Sequence, residues 1–182
     1  MLLKRSIATR YATALFELAK EKNILEAVEK DFPQVAQIVG TNHDLFRFLT
    51  HPAISNDEKK AMLSGILEGK IDDTLYDAIC LAVDKGREAY IPMMWEEYRK
   101  LLMEHRKQAK AVVNTPYELS AELKKELTER LSKALGKSVI LEEKVEKELI
   151  GGIKVQIGDR VYDGSIVSRL GQLRDAMLSA RV

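Results

Sequence analysis

KELIGGIKVQIGDRVYDGSIVSRLGQLRDAM, residues Lys147 to Met177, is the stretch whose reading decides the fold. Ile153, Val155 and Ile157 alternate with Lys154 and Gln156, the period of a half-buried strand. Gly158-Asp159 then supplies the two-residue loop of a tight hairpin, and Arg160 to Tyr162 form the returning strand. A loop of that length sets Val161 opposite Gln156, on the less apolar face. Asp163-Gly164 breaks the strand, and the Ser165 hydroxyl caps the next backbone amides. Ile166, Leu170, Leu173 and Met177 follow at helical spacing.

Working outward, Lys110 to Thr115 (KAVVNT) reads as a strand ended by Pro116. Ser120 caps a helix carrying Leu123, Leu127, Leu131 and Leu135, and Gly136 stops it. Val139 to Val145 reads as a further strand, with Glu143 intruding on its apolar face as the mark of an edge or a partner contact. Residues 106–182 therefore form a small α/β domain containing a hairpin, its sheet covered by two helices.

The preceding residues 1–105 are helical throughout. The six expected helices span Lys4 to Lys22, Ile24 to Val39 (ended by Gly40, with Pro33 a kink or break), a short segment capped by Thr41 to Asp44, Ser55 to Leu67, Asp72 to Lys85, and Pro92 to Gln108. Ser55 to Glu58 is a capping box. With short connections these make a six-helix bundle, so the fold class is α+β. Two helices have apolar arcs about twice the width needed to reach one core, either because each is clamped between neighbours in the bundle or because part of the arc serves a partner. At about 100° per residue, Ala14, Ile7, Leu18, Tyr11, Leu15, Ala8, Ala19, Ala12 and Phe16 fill roughly 200° of the first. Ala78, Ala82, Leu75, Ile79, Val83, Tyr76 and Cys80 do the same on the fifth. Leu81 projects outside that arc, as an isolated surface leucine or as part of an interface.

At 182 residues with 46% apolar side chains the chain can bury a sizeable core. Its apolar runs are far shorter than the roughly 20 residues that cross a bilayer, so direct membrane insertion is not expected. The N-terminus lacks the apolar core of a targeting segment, which favours the cytoplasm of a bacterium. Net charge is +1, yet residues 1–105 carry 14 basic and 17 acidic groups and residues 106–182 carry 15 and 11. That mild polarity suits two different partner surfaces, and no nucleic acid is expected. His43, His51 and His105 are dispersed, Cys80 sits on an apolar arc, the glycines make no phosphate-binding loop, and adjacent carboxylates on a helix diverge. No catalytic, cofactor-binding or metal site is expected, and no small-molecule substrate.

One family accounts for both ends of the chain. The strand after Gly151-Gly152, its flanks KVEKELI and IKVQIGD, the IGDRVYDGS turn and the last helix resemble the delta subunit of bacterial F-type ATP synthases, relative of the mitochondrial oligomycin-sensitivity-conferring protein. RYATALFELAKEKN, Arg10 to Asn23, is similar to that family's opening helix. The resemblance implies a non-catalytic peripheral-stalk, or stator, subunit on the cytoplasmic side of a bacterial cell membrane, by which ion-driven rotation is coupled to ATP synthesis. It also implies two partners. The N-terminal helix of an alpha subunit would lie in a groove between the first and fifth helices, at Ile7, Tyr11, Ala14, Leu18, Asp77, Ala78 and Leu81. The C-terminal region of the b-subunit dimer would meet the last helix and hairpin, with Gly152, Val155 and Ser165 as the family-matching positions. A helical adaptor of an unrelated complex, or an RNA-binding protein using the basic C-terminal half, are the alternatives the residues leave open.

Overall fold

The computed structural model describes residues 2–179. Among them are eight α-helices and a four-stranded sheet, an α+β arrangement. The chain divides into two compact units, one up to Leu102 and one from Met103.

The first unit contains α1 (Leu2–Glu21), α2 (Leu25–Thr41), α3 (His43–Thr50), α4 (Asn56–Leu67), α5 (Asp73–Asp84) and most of α6 (Ile91–His105). Ala8, Ala12 and Ala19 are fully buried, and these small side chains let α1 lie close against its neighbours. Phe16, Phe32, Trp95 and Tyr98 form an aromatic cluster with ring centroids 5.6–6.2 Å apart. Ser55 and Glu58 form the expected capping box at the start of α4. One ion pair is inside the core: Lys59 Nζ lies 2.8 Å from Glu88 Oε1, with both side chains more than nine-tenths buried. It pins α4 to the short 3₁₀ turn that precedes α6.

Three boundaries differ from expectation. Gly40 does not end α2, which runs on to Thr41 and passes through Pro33 without a break. A Cβ on Gly40 would sit 3.6 Å from Pro92 Cγ, an ordinary contact, so this glycine is an interior position of α2 lying against Pro92 and not a stop. Thr41 does not cap α3: its hydroxyl donates back to Gln37 O, and Asn42 accepts from Leu45 N instead. The sixth helix ends at His105, and Lys107 (φ 50°) turns the chain directly into a strand.

The second unit holds β1 (Gln108–Thr115), α7 (Ala121–Leu135), β2 (Ser138–Val145), β3 (Lys154–Ile157), β4 (Arg160–Asp163) and α8 (Ile166–Ser179). The sheet order is β2-β1-β3-β4, with β1 parallel to β2 and the other pairs antiparallel. Parallel pairing needs a crossover, and α7 supplies it. Ala111, Val113, Val139 and Val155 are buried under Leu127, Leu131 and Leu135 of α7. The hairpin register sets Val161 opposite Gln156, as the two-residue loop demands.

The sheet is not covered by two helices. No residue of α8 belongs to the core of this unit, and Leu170, Leu173 and Met177 are 58%, 60% and 70% exposed. The helix is held at its root. Ser165 Oγ accepts from Ser168 N, Ile166 N donates to Gly151 O, and Gly164 N donates to Ile153 O. Gly152 (φ 83°) packs so tightly there that a Cβ would lie 2.4 Å from Gly164 O.

Two outcomes follow for stability. Gly152→Ala, which adds both a clash and left-handed strain, is expected to destabilise the chain in urea by about 2 kcal/mol or more, whereas Gly65→Ala on the open face of α4 should stabilise it by about 0.5–1 kcal/mol. Asp163 accepts from Ser165 N at 2.9 Å, and this backbone bond followed by the Ser165 side chain holds its carboxyl below the ordinary 3.8. A lowered folded-state pKa stabilises above the unfolded value and is lost as pH falls through the folded one. Wild type is therefore expected to exceed Asp163→Ala in urea stability above pH 3.8, with the gap closing on further acidification.

Candidate functional site

Two surfaces leave apolar side chains uncovered. The first is on α1 and α5, which pack side by side. Asp72 starts α5 by accepting from Thr74 N at 2.8 Å, and its own N–H donates to Asp31 of α2. Lys22 Nζ, just past the end of α1, reaches Thr74 Oγ1 at 3.1 Å. Below this polar tie, Leu15 meets Leu75 and Ile79 in the core, and a crevice opens above them. It is lined wholly by Tyr11, Ala12, Ala78 and other apolar-bodied residues of the core. At about 20 Å³ it has room for roughly one water.

The seven positions expected at this groove are distributed as follows. Tyr11 and Ala78, both half-buried, line the same crevice, from α1 and α5 respectively. Ala14 and Asp77 are exposed, Leu18 is 40% exposed and Leu81 50%, while Ile7 is half-buried. None of Ile7, Ala14, Leu18, Asp77 or Leu81 lines the crevice itself. Sequence reading missed that the crevice floor is built by Leu75, Ile79, Phe32, Ile91 and Met94. All five are at most 5% exposed, and only tertiary packing brings them together beneath one crevice.

The second surface is on the C-terminal unit. Of Gly152, Val155 and Ser165, the positions matched to the family's turn and strand, the last two are buried and Gly152 is exposed with one side packed on the backbone. Gly152 abuts Gly164-Ser165, Val155 is 5% exposed in the core, and Ser165, 2% exposed, caps α8. What faces outward is the apolar side of α8 together with Val161 and Tyr162 of the hairpin, each about half exposed. Glu143, flagged as a possible partner contact, is also used within the unit. Lys124 Nζ at 2.6 Å and Leu119 N at 2.5 Å bond its carboxylate and hold its pKa below the ordinary range.

Neither surface has the makings of a reaction centre. Among the described residues no three His, Cys, Asp or Glu side chains gather as metal ligands would. Both surfaces are apolar and suit the burial of another protein segment.

Comparison with known proteins places these surfaces in context. The family model described as ATP synthase delta (OSCP) subunit matches residues 7–177. The chain is 38% identical to the ATP synthase subunit delta of Desulforamulus reducens over 98% of both chains. It is 36% identical to that of Bacillus cereus, over 96% of this chain and 97% of the relative. Among solved structures, a chain of the Toxoplasma gondii mitochondrial ATP synthase hexamer aligns over 94% of this chain and 97% of its own, with a TM-score of 0.68 and 26% identity.

The exposure pattern makes a direct prediction. Leu81→Asp is expected to change unfolding free energy by no more than about 0.5 kcal/mol, whereas Leu75→Ala, earlier on the buried side of the same helix, should cost about 2–5 kcal/mol. Thermal or urea denaturation of the two variants checks it.

Proposed function

The chain belongs to the ATP synthase delta (OSCP) subunit family, a structural and non-catalytic component of F-type ATP synthase, and from that premise we propose how it holds the machine together. On this reading residues 1–105 are a six-helix bundle that grips the N-terminal helix of an alpha subunit on the catalytic head. Residues 106–182 hold the C-terminal region of the b-subunit dimer, whose other end is fixed in the membrane. None of the described helices is long and apolar enough to cross a bilayer, so attachment runs through partners. The proposed location is the cytoplasmic side of a bacterial cell membrane, as a peripheral part of that complex.

One observation carries the first contact. Leu18 and Leu81 are large, exposed and apolar, and they sit on two helices that also share the crevice lined by Tyr11 and Ala78. An amphipathic helix laid along α1 and α5 would cover both leucines and close that crevice. Ala14 allows its backbone to come near, and Asp77 offers a charge at the rim. For the second contact the support comes from the uncovered side of α8. Ser165 and Gly152 contribute by fixing the root of that helix and Val155 by filling the sheet core, while Gly152 also lines a groove open to the surface there.

The mechanism that follows is mechanical. Rotation driven by ion flow would drag the catalytic head with it unless an outer stalk resisted. A link under such torque needs contacts that dissociate slowly, which a few well-buried side chains supply better than many exposed charges. The test is a calorimetric titration of the full chain, wild type and Leu81→Asp, with a peptide of the N-terminal helix of the same organism's alpha subunit. One-to-one binding weakened at least about tenfold, or 1.4 kcal/mol, by the substitution is expected. Equal binding by both proteins would move the groove to another face, and binding by neither would overturn the alpha-subunit assignment.

A further inference from the structure

The uncovered face of α8 has a definite pattern. Ile166, Leu170, Leu173 and Met177 are spaced four, three and four residues apart, the spacing of the apolar seam along which two helices coil. All four are at least 45% exposed. In that register Leu170 and Met177 occupy one core position of the heptad, Ile166 and Leu173 the other. The positions flanking the seam are then Val167, Arg169, Arg174 and Ala176. Both charged residues among them are arginines. The single carboxylate of the helix within the described residues, Asp175, falls on the side away from the seam. Its pair with Arg174 at 3.0 Å is exposed, so it holds the guanidinium only weakly.

Two heptads are too short to hold a partner by themselves, since α8 spans about 21 Å at 1.5 Å per residue. The same unit offers more apolar surface beside the root of α8. Gly152, which abuts Ser165, also lines a groove of about 310 Å³ with Tyr117, Leu123, Leu127 and Ile153, rimmed by the Glu126–Arg130 ion pair, whose charges cancel. Tyr117 and Leu123 are 67% and 50% exposed there.

We propose that α8 is one strand of a heterologous two-helix coil whose other strand is an amphipathic partner helix with acidic residues flanking its apolar seam. Ile166, Leu170, Leu173 and Met177 are the buried seam. Arg169 and Arg174 select the acidic flanks, and the Tyr117–Leu123 groove receives side chains from the partner where it passes the root of α8. Charge complementarity decides the occupant: a second copy of α8 would bring arginine against arginine along the same seam and is disfavoured. The proposal rests on the reading that the C-terminal unit docks a partner helix, and it names that partner's chemistry.

The test uses the full chain and two designed helical peptides with leucine along a heptad seam, one flanked by glutamate and one by lysine. The glutamate peptide is expected to bind at least about tenfold tighter than the lysine peptide near 0.1 M salt, with the gap shrinking near 1 M as the screening length falls from about 10 Å to about 3 Å. Leu170→Asp/Leu173→Asp, at exposed positions, should abolish binding without unfolding the protein. Arg169→Glu/Arg174→Glu should invert the preference, a reversal that mere loss of structure cannot produce. Equal binding of the two peptides, binding of neither, or an unchanged preference in the arginine double variant overturns the proposal. The b-subunit itself is a separate arm. If it fails to bind while the glutamate peptide is still selected, the partner's identity is wrong and the chemistry of the seat is supported.

Discussion

In the C-terminal unit everything depends on a place where two backbones cross with no side chain between them. Residues 151–153 and 164–166 exchange two hydrogen bonds, Gly164 N to Ile153 O and Ile166 N to Gly151 O, each 2.9 Å. Gly152 takes a left-handed conformation in the gap, where any Cβ would strike the Gly164 carbonyl. The crossing does two jobs. It closes the far end of the β3–β4 hairpin, and it ties the first turn of α8 to the segment leading into that hairpin. Beyond this turn, among the described residues, the apolar side chains of α8 stay largely exposed. A helix anchored at one end with its apolar side open is a poor way to finish a small core and a good way to present a surface.

How much of this was legible depended on the range over which each signal acts. Most signals confined to about four residues were read correctly from sequence: the Gly158-Asp159 loop with its register, the Ser55–Glu58 capping box, the Ser120 cap, and Gly136 ending α7 in a left-handed conformation. The Thr41–Asp44 cap was the exception, because the neighbouring Asn42 competes for the same role and takes it. Signals that depend on a distant partner were not read correctly. Gly40 looked like a helix stop because nothing nearby in sequence reports that Pro92 lies against it. Periodicity announced that α8 has an apolar face, but periodicity cannot say what that face meets. Glu143 looked misplaced on a strand until Lys124 and the Leu119 amide were seen to satisfy it.

The same distinction separates the candidate residues. Leu81 stood out because it lay off the apolar arc of its helix, and its half-exposed side chain follows from that geometry. Gly152, Val155 and Ser165 stood out for a different reason, as parts of a family pattern. Here they hold the backbone crossing, the core and the helix cap. A motif built from glycines and a capping serine reports a demanding local structure, and residues that meet such a demand are already occupied.

The two surfaces differ in kind, and that difference bears on a stalk. Around α1 and α5 the first unit is closely packed: α1 buries a row of alanines, an aromatic cluster joins α1, α2 and α6, and the Lys59–Glu88 pair ties α4 to the 3₁₀ turn. Losing either partner of that buried pair would strand a charge, so the arrangement tolerates little rearrangement. A partner laid over this surface finds its shape already formed and loses little to ordering the site, which favours long residence. The α8 face adds no such preformed wall; it adds an apolar stripe on a helix fixed at its root. Pairing it with another helix would cover a stripe that the unit cannot cover itself, so stability and attachment would be gained in the same step. For a subunit proposed to resist torque, that coupling ties the integrity of the C-terminal unit to the presence of its partner.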